Sequence, residues 1–257
     1  EFDCPEWSPC QTSDYDYGVL YACPAYPRDT APVAEDTLFT IPSIPKSSNR
    51  VLFEFCADPD SMLGQLKSKS RNGCVVIRAT EYHDMSSQKG IEWALKVIDS
   101  IPKHCKIMLW SAIPCTGGCP WASINKKYPS AMAKLKRHRA LFDKLWENFK
   151  KLADAVALRD GVISMEWPPR CAYWHDRRVL KFLKTQMAKS TTTVVDSCMH
   201  GLRSKNPCTL GERLHKKWKV VSTTPCLHKH LCVPCSGDHS HVPVAADDSK
   251  LSGYYPV

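Results

Sequence analysis

The sequence predicts an α/β protein: a three-layer, mostly parallel sheet that closes with an antiparallel hairpin. Three observations predict it. From residue 51 onward, short apolar runs rich in β-branched residues alternate with amphipathic runs. The last two apolar runs are joined by about seventeen residues with no helical pattern, which suits an antiparallel pair. Unusual polar stretches follow each of the first five strand-like runs, the edge where open α/β sheets bind ligands.

The elements follow in order. "VLFEFCA" (51–57) is a first strand, and "SMLGQLKSKSRNG" reads as a helix opening at Ser61 and ending near Gly73. "CVVIRAT" (74–80) is a second strand. "SSQKGIEWALKVIDSIP" opens with a capping serine and sets Ile91, Leu95 and Ile98 on one helical face. "KIMLWSAI" (106–113) is a third strand. The longest helix spans about 129–159, where Leu135, Phe142, Leu145, Phe149, Leu152 and Val156 form a core stripe opposite a basic face. Gly161 ends it. "GVISMEWPP" (161–169) is a fourth strand, "DRRVLKFLKTQM" a further helix, and "TTTVVDSC" and "KKWKVVST" the closing strands.

Composition bounds the function. The 257 residues suffice for one large domain, and no window approaches 18 consecutive apolar residues, so no membrane span is expected. The formal charge of +9 is uneven, about −5 over residues 1–50 and +14 beyond. The basic part fits a polyanion, nucleic acid first, or else a lysine-rich soluble surface. Residues 1–50 hold seven prolines and little periodicity, an acidic leader before a domain at 51–223. The chain starts at Glu1, which fits a processed product or a piece of something longer. Fourteen cysteines, several inside apolar runs (Cys56, Cys74, Cys198), favour a reducing intracellular or nuclear setting over a secreted, disulfide-bonded one.

The stretch "IMLWSAIPCTGGCPW" (107–121) carries the sharpest candidate. Cys115 is a nucleophile at a strand end, a buried turn thiol, or a metal ligand with Cys119. The glycines behind it permit a sharp turn and close approach to the backbone. Glu166 ends an otherwise apolar strand. Burial there raises a carboxyl pKa and suits proton donation, unless the group pairs with a base such as Arg170. Asp58, Asp60, Glu81 and Asp84 sit at strand ends, where carboxylates bind ribose hydroxyls or serve as ordinary turn residues.

The order "FEFCADPDS", "IRATEYHD", "LWSAIPC", "ISMEWP", "DSCMHGLRSK", "KKWKVVS" resembles class I S-adenosylmethionine methyltransferases, which have a Rossmann-like sheet. It is most similar to the cytosine-5 DNA methyltransferase branch and its viral relatives. The span 51–223 also resembles an uncharacterised domain of algal retroelement-like polyproteins. The resemblance implies that Pro114 and Cys115 form the catalytic pair and Glu166 the catalytic glutamate. It implies cofactor contacts from Glu54, Cys56, Asp58, Ser61, Glu81, Asp84 and Pro114. Cys115 would add to C6 of a flipped-out cytosine, Glu166 would hold N3, and C5 would then attack the methyl group of S-adenosylmethionine. The basic face would hold phosphates. The chain departs from the pattern in four places. "CADPDS" lacks the usual glycines, Trp167 stands where Asn is expected, one βα unit is missing after the second strand, and no long recognition insert follows "GLRSK". A catalytically inactive module that binds nucleic acid or protein is the alternative.

The tail, 224–257, holds "CLHKHLCVPCSGDHSH". Cys232-x2-Cys235 followed by His239 has zinc-ligand spacing, and Cys226, Cys232, Cys235, His239 and His241 are the expected ligands of a structural site. Free thiols beside surface histidines, or a disulfide, are the alternatives.

Overall fold

A computed structural model of the protein describes residues 38–59, 61–64, 73–120, 122 and 128–244. The leader through residue 37, most of the helix expected between Ser61 and Gly73, Asp60 and the closing "SGYYP" lie outside the described residues.

The architecture is α/β with a six-stranded mixed sheet. In chain order it contains β1 (Arg50–Phe55), β2 (Cys74–Ala79), α1 (Gln88–Ser100), β3 (Lys106–Ser111), α2 (Pro129–Ala157), β4 (Val162–Trp167), α3 (Arg177–Thr185), β5 (Thr191–Asp196), β6 (Lys217–Ser222) and α4 (Cys226–Leu231). The strand order is β2-β1-β3-β4-β6-β5. The pairs β1–β2, β1–β3 and β3–β4 are parallel, and β6 is antiparallel to both β4 and β5. So β1 to β5 all point one way and β6 alone runs against them. The closing hairpin is present, but β6 threads inside the sheet and leaves β5 at its edge.

This arrangement brings five strand carboxyl ends to one edge of the sheet, and the start of β6 joins them there.

Strand alternation sorts side chains onto two faces. One face carries Val51, Phe53, Phe55, Ile107, Leu109, Ile163, Met165 and Trp167, and it packs against α1, α2 and α3. All six stripe residues of α2 are buried, five of them, Phe142 to Val156, in this core. The other face carries Leu52, Trp110, Val195, Trp218 and Val220. Leu227 and Leu231 of α4, with Val242 and Val244 of the tail, cover part of it.

Caps and glycines define the ends. Ser87 caps α1 by accepting a hydrogen bond from the Gly90 amide, and Asp176 caps α3 by accepting one from the Arg178 amide. The chain leaves α2 through Asp160, whose φ of 51° is left-handed, before Gly161. Among the described residues no helix is long and apolar enough to cross a membrane.

Candidate functional site

At the carboxyl end of β3 the chain runs through Pro114 and Cys115 into a turn closed by the Gly118 amide on the Cys115 carbonyl, 2.9 Å. At the end of β4 it runs through Trp167 into the Pro168–Trp174 loop. Two contacts bind these ends together. The Trp167 indole N–H donates to the Ile113 carbonyl at 2.7 Å, one residue before Pro114. The Ala172 amide donates to the Gly118 carbonyl at 2.6 Å. Trp167, at the position where Asn was expected, thus holds the turn that carries Cys115.

The glycines have a packing reason. A Cβ on Gly117 would collide with the Tyr173 hydroxyl, and one on Gly118 would lie 2.9 Å from the Cys171 sulfur. Neither glycine needs a left-handed φ. Both are small so that the 171–173 segment can close over the turn.

Cys115, Glu166 and Lys216, the residue before β6, lie within electrostatic reach of one another. Cys115 keeps some exposed surface, but its thiol is enclosed. Burial pushes this thiol well above the usual range. The neighbouring Cys171, Cys119 and Glu166 push in the same direction, and Lys216 opposes them. Burial likewise pushes Cys171 up to about 12. For Lys216 burial lowers the ammonium pKa, while Glu166 and Cys115 act to raise it. The three groups form a buried acid, thiol and amine set whose charge states depend on one another. Tyr173 adds a buried hydroxyl that has no hydrogen-bond partner among the described residues, and its ring stacks on Phe142 with centroids 3.6 Å apart. Its pKa too is raised, chiefly by burial.

Beside this set lies the basic first half of α2. Arg139 donates to the Gly117 carbonyl at 3.3 Å, and Lys136 and Arg137 are exposed nearby in sequence.

The residues expected to contact a cofactor fall into two groups. Glu54 is fully buried. Its carboxylate accepts from the Ser61 hydroxyl at 2.6 Å and pairs with the Arg78 guanidinium at 3.3 Å. Glu54 and Ser61 thereby bond to each other. Burial raises the Glu54 pKa, against Ser61 and Arg78. Cys56 and Asp58 remain partly exposed in the loop after β1, and Cys56 takes a φ of 60°, the left-handed region that favours glycine. Glu81 and Asp84 are exposed in the turn after β2, where Asp84 accepts from the Ser86 hydroxyl at 2.7 Å.

The tail forms a second cluster. The sulfurs of Cys198 and Cys235 and one ring nitrogen each of His239 and His241 all lie within 4.8 Å of one another, a set that could hold a metal ion. Cys226 and Cys232, expected among the ligands, lie outside it. Cys226 opens the short helix α4 and Cys232 caps it, both exposed. Their place is taken by Cys198, in the 3-10 turn Ser197–His200 after β5.

Sequence reading passed over Lys216, Cys171, Tyr173 and Cys198 as site residues. An antiparallel last strand necessarily starts at the carboxyl edge of its neighbour, and that was the available signal for Lys216. Compared with known protein families, with curated proteins and with solved structures, the chain matches none.

Proposed function

We propose that the protein is a cytosine-directed methyltransferase of the Rossmann-like class, acting on nucleic acid through Cys115. One observation carries the reading: Cys115, in the loop after β3, and Glu166, near the end of β4, lie within electrostatic reach of each other and of Lys216 at the carboxyl edge of the sheet. Addition of a thiol to C6 of cytosine needs a sulfur nucleophile and a group at N3 that stabilises the electron-rich ring. Glu166 is the carboxyl at hand for N3. The thiol must first lose its proton; burial lowers the Lys216 pKa, so its amine can accept that proton, and the ammonium so formed favours the thiolate. Bond formation between sulfur and C6 shifts the ring electrons toward C5 and N3, with Glu166 sharing the N3 proton. S-adenosylmethionine, when bound, would supply the methyl group, its sulfonium–methyl bond breaking as C5 takes the methyl and the thioether leaves; loss of the C5 proton to water with expulsion of the Cys115 thiolate would then restore the ring.

The antiparallel β6, paired with β4 and β5, matches the closing hairpin that the resemblance implies. The basic start of α2, touching the Gly117 loop through Arg139, suits phosphates next to the reacting base. Tyr173 offers a buried hydroxyl that a bound base can satisfy.

The cofactor residues fit in part. The left-handed Cys56 turn and the exposed acids Glu81 and Asp84 suit a nucleoside. Glu54 and Ser61 do not, because they bond to each other and Glu54 also pairs with Arg78. That mismatch favours one second reading, a nucleic-acid-binding module that performs no transfer.

Labelled S-adenosylmethionine incubated with single- and double-stranded DNA and RNA separates the two. Transfer to cytosine that disappears in Cys115→Ser supports the enzyme. Nucleic-acid binding without transfer, unchanged in Cys115→Ser, supports the module.

A further inference from the structure

We propose that Cys198, Cys235, His239 and His241 bind one zinc ion in a closed, four-coordinate site that clasps the C-terminal tail to the turn after β5. The ligand atoms come from two separate chain segments; the Cys198 sulfur lies within 4.8 Å of the other three, whose mutual spacing is close to the edges of a zinc tetrahedron. Zinc bonds of about 2.3 Å to sulfur and about 2.0–2.1 Å to nitrogen imply S···N edges of about 3.6 Å and N···N edges of about 3.3 Å. The Cys235 sulfur lies 3.5 Å from His239 Nε2 and 3.6 Å from His241 Nε2, and the two Nε2 atoms are 3.0 Å apart.

Local geometry produces this convergence. Gly237 has a φ of 74°, the left-handed conformation that lets the chain reverse between Cys235 and His239. Asp196, the last residue of β5, accepts from the Cys235 amide at 3.0 Å and so fixes this segment beside Cys198. Asp238 Oδ1 lies 2.7 Å from His239 Nδ1. A proton on Nδ1 directed at this carboxylate leaves Nε2 with its lone pair toward the ion, the usual orienting arrangement for a metal-bound histidine. Arg213 Nη1 lies 2.8 Å from the same Nδ1 and 3.3 Å from Nε2; arginine only donates, so this contact and the Nδ1 proton on Asp238 are alternatives, and an ion on Nε2 selects the proton on Nδ1. The charge of the ion balances the two thiolates.

Four protein ligands leave no open position, so the site is structural rather than catalytic. What it holds is specific. The Val242 amide donates to the Arg213 carbonyl at 2.9 Å, and the His215 amide to the Val242 carbonyl at 3.0 Å. Ser197, the neighbour of Cys198, donates to the Lys216 carbonyl from its amide at 3.0 Å and from its hydroxyl at 2.5 Å. The clasp therefore braces, on both sides, the segment that delivers Lys216 to Cys115 and Glu166.

The test is metal content and cobalt(II) substitution on the full chain. One equivalent of zinc per chain is expected. Cobalt(II) in its place should give the intense visible bands of tetrahedral coordination together with thiolate-to-metal charge transfer. Cys235→Ser and His241→Ala should lose the ion, while the double variant Cys226→Ser, Cys232→Ser should keep it. Asp238→Asn, a change at an exposed side chain, should weaken zinc binding about 10- to 100-fold. No bound zinc in the wild-type chain, an octahedral cobalt spectrum, or loss of the ion from the Cys226/Cys232 variant would overturn the assignment. Because the cobalt spectrum is read on the wild-type chain, a variant that fails to fold does not protect the proposal.

Discussion

The carboxyl edge of the sheet treats two buried glutamates in opposite ways. Under β1 and β2, Glu54 is closed off by the Ser61 hydroxyl and the Arg78 guanidinium. Under β3, β4 and β6, Glu166 faces a thiol and a lysine whose charge states it shares. Both residues sit on strands whose neighbours are apolar, and both lie on the same face of the sheet. A buried carboxylate matched by a cation and a hydroxyl is a brace. One set against a protonated thiol and a depressed amine can move protons.

The largest expected effects would break the chemical half. Cys115→Ser should abolish methyl transfer to cytosine. Glu166→Gln should lower it about 10²- to 10⁴-fold, the range of a general acid, with Kd for nucleic acid little changed. Equal loss of binding and transfer would make Glu166 a structural residue like Glu54.

Glu54→Ala tests the other half. It leaves the Arg78 charge without its partner, and loss of one member of a buried pair costs about 3–5 kcal/mol. Arg78 keeps some exposure, so the lower end applies, measured as a shift in urea midpoint. An unchanged midpoint would dissolve the distinction between the two glutamates.

Gly118→Ala should cost about 1–3 kcal/mol by overpacking, since its Cβ would press on the Cys171 sulfur and the Tyr173 ring. Full stability in that variant would mean that the 171–173 segment does not close over the Cys115 turn.

The smallest effect is in pH dependence. Cys115 and Cys171 have folded pKa values above the ordinary thiol value of about 8.5. The folded state keeps protons that the unfolded chain releases, so their contribution is whole below about pH 8.5 and is lost as pH climbs toward the folded values. Lys216 acts the other way. Its folded pKa is depressed, so its contribution is present above the ordinary lysine value and lost as pH falls through the folded one. The urea midpoint should therefore fall between pH 8 and pH 10 less steeply in wild type than in Lys216→Met, and less steeply still in Cys171→Ala.

Much of the framework was legible in the residues. The α2 stripe at Leu135, Phe142, Leu145, Phe149, Leu152 and Val156 is buried as its spacing required. The Ser87 cap and the six strands lie where local pattern puts them. The position of β6 between β4 and β5 was not legible, because local pattern carries no information about which strands become neighbours. The tail divides in the same way. Cys235, His239 and His241 are close in sequence and stay together, whereas Cys198 reaches them only through the sheet.

By itself the sequence determined the periodicities, the caps, and the set of polar residues at the strand ends, since each depends on neighbours a few positions away. Only the tertiary structure decided that Glu54 would be tied to Arg78, that Lys216 would meet Cys115 and Glu166, and that Cys198 rather than Cys226 or Cys232 would complete the tail cluster. The reason is physical. Burial and charge at a side chain are set by whatever the fold packs against it, and here those partners come from strands and loops far away along the chain.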